Sequence, residues 1–248
     1  MRSVMHTTGP RYHDHNRFSQ PHPWPGRLLV IDGIDGSGKS SQVELLAAWL
    51  ESRQIPTLCT HWSSARLVRD LARSAKRAGL LTPTTFALLH ASDFAHRQAY
   101  DIIPALKAGL VVLADRYVYT ALARDVSRGV DRQWARKVYR FAVQPDRVIY
   151  LRASVDLVLS RLMAGRLPIK AYEAGVDLNI SNDRVESFRV FQSRLLREFA
   201  KMADEYDFVT LDAGLPMAEL QQQIRGLAGE LVGLAERDVQ ADSGAGGV

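Results

Sequence analysis

The sequence predicts an α/β domain, a five-stranded parallel sheet flanked by helices. Three observations carry that prediction. Short runs of branched apolar residues alternate with longer stretches of helical period. The first of these runs leads into a glycine-rich loop that closes on a lysine. No run reaches the ~20 apolar residues of a membrane span, so the 46% of the 248 residues that is hydrophobic must fill a core.

The elements follow in order. Residues 1–26 hold four prolines and four histidines and read as a disordered tail; the ligand-like YHDHN at 12–16 fits a solvated tail better than a metal site. RLLVID at 27–32 is the first buried strand, and Ser40 to Glu51 is a helix with Val43, Leu46, Ala47 and Leu50 on one stripe. PTLCTHW at 56–62 is the second strand. Helices are expected over Ala65–Ala78 and Thr84–Lys107, the latter bent or interrupted near Pro104. LVVLAD at 110–115 is the third strand, with helices at Tyr119–Ser127 and Arg132–Val143. RVIYLRA at 147–153 is the fourth, leading into a helix that ends at Met163. DFVTLDA at 207–213 is the fifth, before a closing helix from Met217 to Arg237. The domain is bounded at 27–236, and 237–248 read as a second disordered tail.

The loop supplies the chemistry. Gly33 to Ser40 fits G-x-x-x-x-G-K-[ST], placed between a strand and a helix as a P-loop NTPase fold requires. Glycines let backbone N–H groups wrap phosphates, and the helix start adds positive potential. Gly33, Asp35, Gly36, Ser37, Gly38, Lys39, Ser40 and Ser41 are therefore candidates to hold ATP. Lys39 would reach the β- and γ-phosphates and the Ser40 hydroxyl would ligate Mg²⁺. Asp115 ends the third strand, at the carboxyl edge where ligands bind in such sheets, and is suited to share that Mg²⁺. Arg116 follows it, suited to a bidentate grip on a second phosphate.

With DGIDGSGKSS at 32–41, LLHASDFAHR at 88–97, PALKAGLVVLADRYVYTALA at 104–123 and PDRVIYLRASVDLVLSRL at 145–162, the chain resembles the thymidylate kinase family. The late helix DRVESFRVFQSRLLREFAKMADEY at 183–206 fits too. The resemblance implies ATP- and Mg²⁺-dependent phosphoryl transfer to a deoxynucleoside monophosphate, dTMP first. It also implies roles: Asp35 at the acceptor sugar or its phosphate, Arg116 on the acceptor phosphate, Lys39 on the donor, and Ser40 with Asp115 on the metal. It implies a mobile lid over about 164–182; Arg166 within it or Arg161 flanking it would neutralise the transferring group, because the loop itself holds no arginine. A homodimer is a further implication.

The acceptor side departs from the family pattern. Where Phe-x-x-x-Arg is usual, the chain has His90 and Phe94, with Arg97 one turn further as a replacement on the same face. His90 either meets the base or packs between helices. The family's Ser-x-x-Ala-Tyr-Gln becomes Thr120-Ala-Leu-Ala-Arg124-Asp125, keeping only the hydroxyl of Thr120. Trp62, in place of the family's Arg-Glu-Pro-Gly segment, either fills the core or walls the acceptor site. Three functions stay open: a nucleotide kinase, a relative acting on polyphosphate or another phosphorylated metabolite, and a nucleotide switch with no acceptor. No Asn-Lys-x-Asp reader of a guanine switch is present near the late strands. The net charge of +5 is spread along the chain, which favours small anionic substrates over a nucleic-acid polymer. A lone cysteine and the lack of an apolar leader point to a cytoplasmic protein with no membrane partner.

Overall fold

The sheet is built around two strands that are apolar on both faces, β1 (Arg27–Asp32) and β3 (Val111–Asp115). Leu28, Leu29, Val30 and Ile31 of β1 and all five residues of β3 are buried, as parallel strands covered on both sides must be. β2 (Thr57–His61) lies outside β3, and β4 (Arg147–Arg152) then β5 (Val209–Asp212) lie beyond β1. The order is β2-β3-β1-β4-β5, and every neighbouring pair is parallel. The computed structural model describes residues 21–165 and 167–234.

Nine helices connect and cover the strands among these residues: α1 (Lys39–Ser52), α2 (Arg66–Arg77), α3 (Pro83–Arg97), α4 (Ile103–Lys107), α5 (Val118–Ser127), α6 (Arg132–Val138), α7 (Val155–Ala164), α8 (Arg184–Glu205) and α9 (Met217–Val232). α1 and α9 pack together against β1, while α3, α5 and α8 form a second layer. Phe199 of α8 stacks on Tyr150 of β4 at 5.3 Å, fixing that layer to the sheet.

Most expected elements fall within two residues of their sequence bounds. Four differ for identifiable reasons. The closing helix, expected to reach Arg237, ends at Val232, where Gly233 turns left-handed at φ +75°. The long helix at 84–107 is interrupted by a π-helical turn, Gln98–Ile102, before Pro104. Proline has no N–H to offer the preceding turn, and a widened turn absorbs the missing bond. Gln98 uses the distortion, donating to Tyr117 Oη at 2.6 Å and accepting from Val143 N at 3.3 Å. The helix expected over Arg132–Val143 stops at Val138, where Tyr139 turns into the core, fully buried. Pro21 to Gly26, read as the end of a tail, instead pack on the body. Trp24 lies against the core, Gly26 N donates to Leu106 O at 2.9 Å, and His22 Nε2 meets Asp146 Oδ2 at 2.9 Å. The folded body therefore starts at least six residues earlier than the sequence suggested. The YHDHN segment and the C-terminal tail lie outside the described residues.

Asp146 anchors this start. Its Oδ2 accepts the Leu28 N–H of β1 at 2.7 Å as well as the bond from His22. Asp146→Ala leaves a strand N–H without its partner. The variant is expected to lose about 1–3 kcal/mol, read as a lower midpoint in thermal denaturation; an unchanged midpoint would remove this anchor.

Candidate active site

The loop after β1 takes its shape from glycines. Gly33 has φ +149° and a side chain there would meet Leu151 O at 2.6 Å; Gly36 has φ +77° and would meet Val158 Cγ1 of α7 at 2.6 Å. No L-residue fits either position without displacing backbone or α7. Lys39 opens α1, buried, with Nζ donating to Ile34 O at 2.5 Å and to Ser37 Oγ at 3.2 Å. Burial, and then the positive Arg116, pull its pKa down to about 7. Ser41 sits in the first turn of α1 with its side chain exposed.

Ser40 and Asp115 meet across the carboxyl edge. Ser40 Oγ donates to Asp115 Oδ2 at 2.5 Å, and Oδ1 of the same carboxylate, buried, has no hydrogen-bond partner among the described residues. Two hard oxygen donors beside a phosphate loop fit Mg²⁺, which takes one or two protein oxygens and completes its shell with substrate phosphates and water.

Asp35 is the hub of the cleft. Arg116 Nη2 donates to its Oδ1 at 2.7 Å, and Arg124 Nη2 donates to both oxygens at 2.8 Å. Gln192 of α8 donates from Nε2 to Oδ2 at 3.0 Å and accepts from Asp35 N at 3.3 Å. Burial pushes the Asp35 carboxyl up, but the Arg124 and Arg116 guanidiniums outweigh it and hold the group well below the usual carboxylate range. Arg116 reaches this position through a left-handed backbone, φ +71°. Burial pulls its pKa down, but the carboxylates of Asp35, Asp115 and Asp32 outweigh that and raise it.

Asp32, which the sequence did not single out, braces the loop from below. It is fully buried and accepts from Gly33 N at 2.8 Å, Thr120 Oγ1 at 2.5 Å, and the N–H groups of Tyr117 and Thr120 at 3.2 Å. Burial raises its pKa, opposed by the Thr120 hydroxyl and the positive Arg116. The hydroxyl of Thr120, expected at the acceptor, is spent on this brace.

Other expected residues also lie elsewhere. Phe94 is wholly buried, edge-on to Tyr117 at 4.9 Å and Tyr139 at 5.9 Å, and does not reach the cleft. Arg97, also wholly buried, donates from Nε and Nη2 to Thr60 Oγ1 at 3.0 and 2.9 Å and lies 4.0 Å from Asp93. It does not line the cleft as a replacement for the family arginine. Arg161 of α7 donates to Ala213 O at 2.6 Å, after β5, rather than to the phosphate loop. Arg166 lies outside the described residues.

A cleft of about 450 Å³ opens beside this hub, lined by Asp35, Trp62, Asp115, Arg116, Arg124 and Tyr172, with Lys76 of α2 reaching in. His90 is buried behind it, stacked on Trp62 at 5.0 Å. Tyr172 belongs to the segment expected as a lid. That segment is tied down by Arg128, which donates to Tyr172 O at 2.9 Å and Asp177 Oδ2 at 2.8 Å, by Gln192 Nε2 to Glu173 O at 2.7 Å, and by Ser187 Oγ to Ala174 O at 2.7 Å. Lys76, Arg124, Arg128, Tyr172 and Gln192 were all missed from sequence. Gln192 carried a signal, an uncharged polar residue between Phe191 and Leu195 on an apolar stripe.

A phosphate loop, a serine–aspartate pair with the oxygen donors a Mg²⁺ ion would need, and two guanidiniums converge on one crevice at the carboxyl ends of a parallel sheet. That defines a P-loop phosphotransferase. The chain belongs to the thymidylate kinase family, whose model matches residues 31–224. It is 42% identical over 84% of its length to probable thymidylate kinase 2 of Saccharolobus solfataricus, covering 97% of that protein. It is 31% identical to the probable thymidylate kinase of Thermococcus gammatolerans, over 86% of this chain and 98% of the other. The thymidylate kinase of Synechococcus sp. is 30% identical, over 79% of this chain and 94% of its own.

Two outcomes test this geometry. Thr120→Val should lower stability by about 1–2 kcal/mol while the KM for acceptor stays within about twofold; a large KM change with normal stability would return Thr120 to the substrate. Lys39, at about 7, is largely neutral at pH 8, and phosphate oxygens raise its pKa. ATP binding at pH 8 is therefore expected to take up close to one proton, measured by calorimetry in buffers of different ionisation enthalpy, and the uptake should vanish in Lys39→Met.

Proposed function

We propose that the chain transfers the γ-phosphoryl group of ATP to a deoxynucleoside monophosphate, dTMP before others. The observation that carries this reading is the shared crevice. Groups suited to a donor (Lys39, Ser40, the loop amides) belong to the same loop as Asp35, and two groups suited to an acceptor phosphate (Arg116, Arg124) both donate to its carboxylate. Phosphoryl transfer asks for positioning and charge neutralisation more than for covalent chemistry, and this arrangement supplies both. The aromatic walls of the cleft, Trp62 and Tyr172, favour an acceptor with a flat ring over a polyphosphate chain.

In this reading the loop amides and Lys39 hold the donor phosphates, and Arg116 orients the acceptor phosphate. Arg124 and Gln192 hold Asp35 ionised toward the acceptor sugar. Ser40 and Asp115 would hold Mg²⁺, which would offset the charge of the donor phosphates. Arg161 and Arg166 remain the arginines that a lid movement would bring to the transferring group. A homodimer and a cytoplasmic location belong to the same reading and rest on family membership. Among the described residues no helix is long and apolar enough to cross a membrane.

The test is ADP release from purified protein with ATP and Mg²⁺ across a panel of nucleoside monophosphates and polyphosphate. dTMP-dependent ADP is expected, and Asp115→Ala should lower kcat on the order of a hundredfold. ADP released at one rate whatever the acceptor would overturn the reading.

A further inference from the structure

The acceptor cleft contains a cation that the transfer chemistry does not use. Lys76 extends from α2 into a box of rings. Its Nζ lies 5.0 Å from the Phe86 centroid, 5.4 Å from Tyr172 and 3.3 Å from His90 Nε2. Phe86 and Tyr172 stack at 5.6 Å with 9° between their planes, and His90 bridges Phe86 at 4.4 Å and Trp62 at 5.0 Å.

The hydrogen-bond direction in this box follows from valence. An ammonium has three donors and no acceptor, so His90 Nε2 is the acceptor. The one N–H of the neutral ring is then on Nδ1, which faces Ser63 Oγ at 3.4 Å. Burial, and then Lys76, Arg124 and Arg128, hold the imidazole well below its usual range, in keeping with a neutral ring. Two N–H donors of Lys76 are left to point elsewhere.

Charge pairing separates Lys76 from the other cations lining the cleft. Arg116 and Arg124 share Asp35, and Lys170 pairs with Glu173 at 3.2 Å. Asp115 accepts from Ser40. Among the described lining residues, Lys76 faces a neutral partner instead of a carboxylate. Burial, and then the neighbouring Arg124 and Arg128, lower its pKa to about 8, outweighing the more weakly felt Asp177 and Asp93, neither of which pairs with it directly. A phosphate is drawn to the guanidiniums beside Asp35, whereas a flat ring fits between aromatic walls.

We propose that Lys76 reads the base of the acceptor nucleotide. Its Nζ donates to the carbonyl oxygen at position 4 of a pyrimidine lying against the cleft walls Trp62 and Tyr172, with His90 Nε2 holding the ammonium in place. The site thereby selects thymine and uracil over cytosine, whose position-4 amino group would set a donor against a donor. This inference rests on the nucleotide-acceptor reading above and names the base that the acceptor site takes.

dUMP and dCMP are the matched pair, since they differ at the edge that Lys76 would read. Wild-type kcat/KM is expected to favour dUMP by at least about a hundredfold. Lys76→Met should cost dUMP about 10- to 100-fold, mainly in KM, and change dCMP by less than about threefold. Lys76→Gln, whose amide offers an acceptor as well as a donor, should bring dCMP to within about tenfold of dUMP. Equal losses for both nucleotides in Lys76→Met, or no loss, would overturn the assignment. Calorimetric titration of both nucleotides without ATP asks the same question apart from turnover. If wild type turns over no acceptor, the kinase reading fails, while a dUMP preference in binding that Lys76→Met abolishes still supports base reading. Absence of that preference in wild-type binding would overturn it.

Discussion

The site depends on one carboxylate. Asp35 joins three elements that the chain brings from far apart: the phosphate loop that carries it, α5 through Arg124, and α8 through Gln192. Arg116, from the end of β3, is the fourth tie. A buried carboxylate is costly unless it is paired and fully hydrogen-bonded, and here two guanidiniums and an amide satisfy it. The same pairing orients the side chain of Arg116, whose left-handed backbone is held by its N–H bond to Ile31 O at 3.1 Å. Through these bonds, and through Gln192 Nε2 to Glu173 O, the loop, α5, α8 and the segment over the cleft form a connected unit.

A second buried carboxylate does complementary work. Asp32 faces the opposite side of the loop and is satisfied by a hydroxyl and three backbone N–H groups instead of by cations. The two aspartates, three residues apart, thus divide the tasks. Asp32 fixes the backbone of the loop against α5, and Asp35 organises the charged groups of the cleft. The two lysines of the site show the other side of this electrostatics. Lys39 and Lys76 are both desolvated, with Arg116 beside the first and Arg124 and Arg128 near the second, and both give up some of their affinity for protons as a result. Each is poised to gain from a ligand that brings oxygen acceptors.

The donor half of the site was legible because it is local. Gly33 to Ser40 is contiguous, its glycines answer to dihedral needs, and its lysine and serine fall at fixed places on the first turn of a helix. Asp115 and Arg116 were legible because a strand end in a parallel sheet is a defined position. The five strands and most helices followed from apolar runs and periods, and the interruption near Pro104 from the chemistry of proline.

The cleft proposed for the acceptor was decided by tertiary structure, because the residues in and behind it come from segments with no local relation. Trp62 follows β2, Lys76 is on α2, Phe86 and His90 on α3, Arg124 on α5, and Tyr172 lies between α7 and α8. Sequence spacing put His90, Phe94 and Arg97 on one side of a helix, but not at one depth. One turn advances a residue about 5.4 Å along the axis. That step takes α3 from the wall behind the cleft at His90 into the packed aromatic core at Phe94. The sequence alone determined a phosphate-binding α/β domain and the identity of its donor groups, since those rest on neighbours in the chain. Which side chains line the cleft beside Asp35 was settled only when distant helices packed, since burial and partner choice are properties of the assembled core.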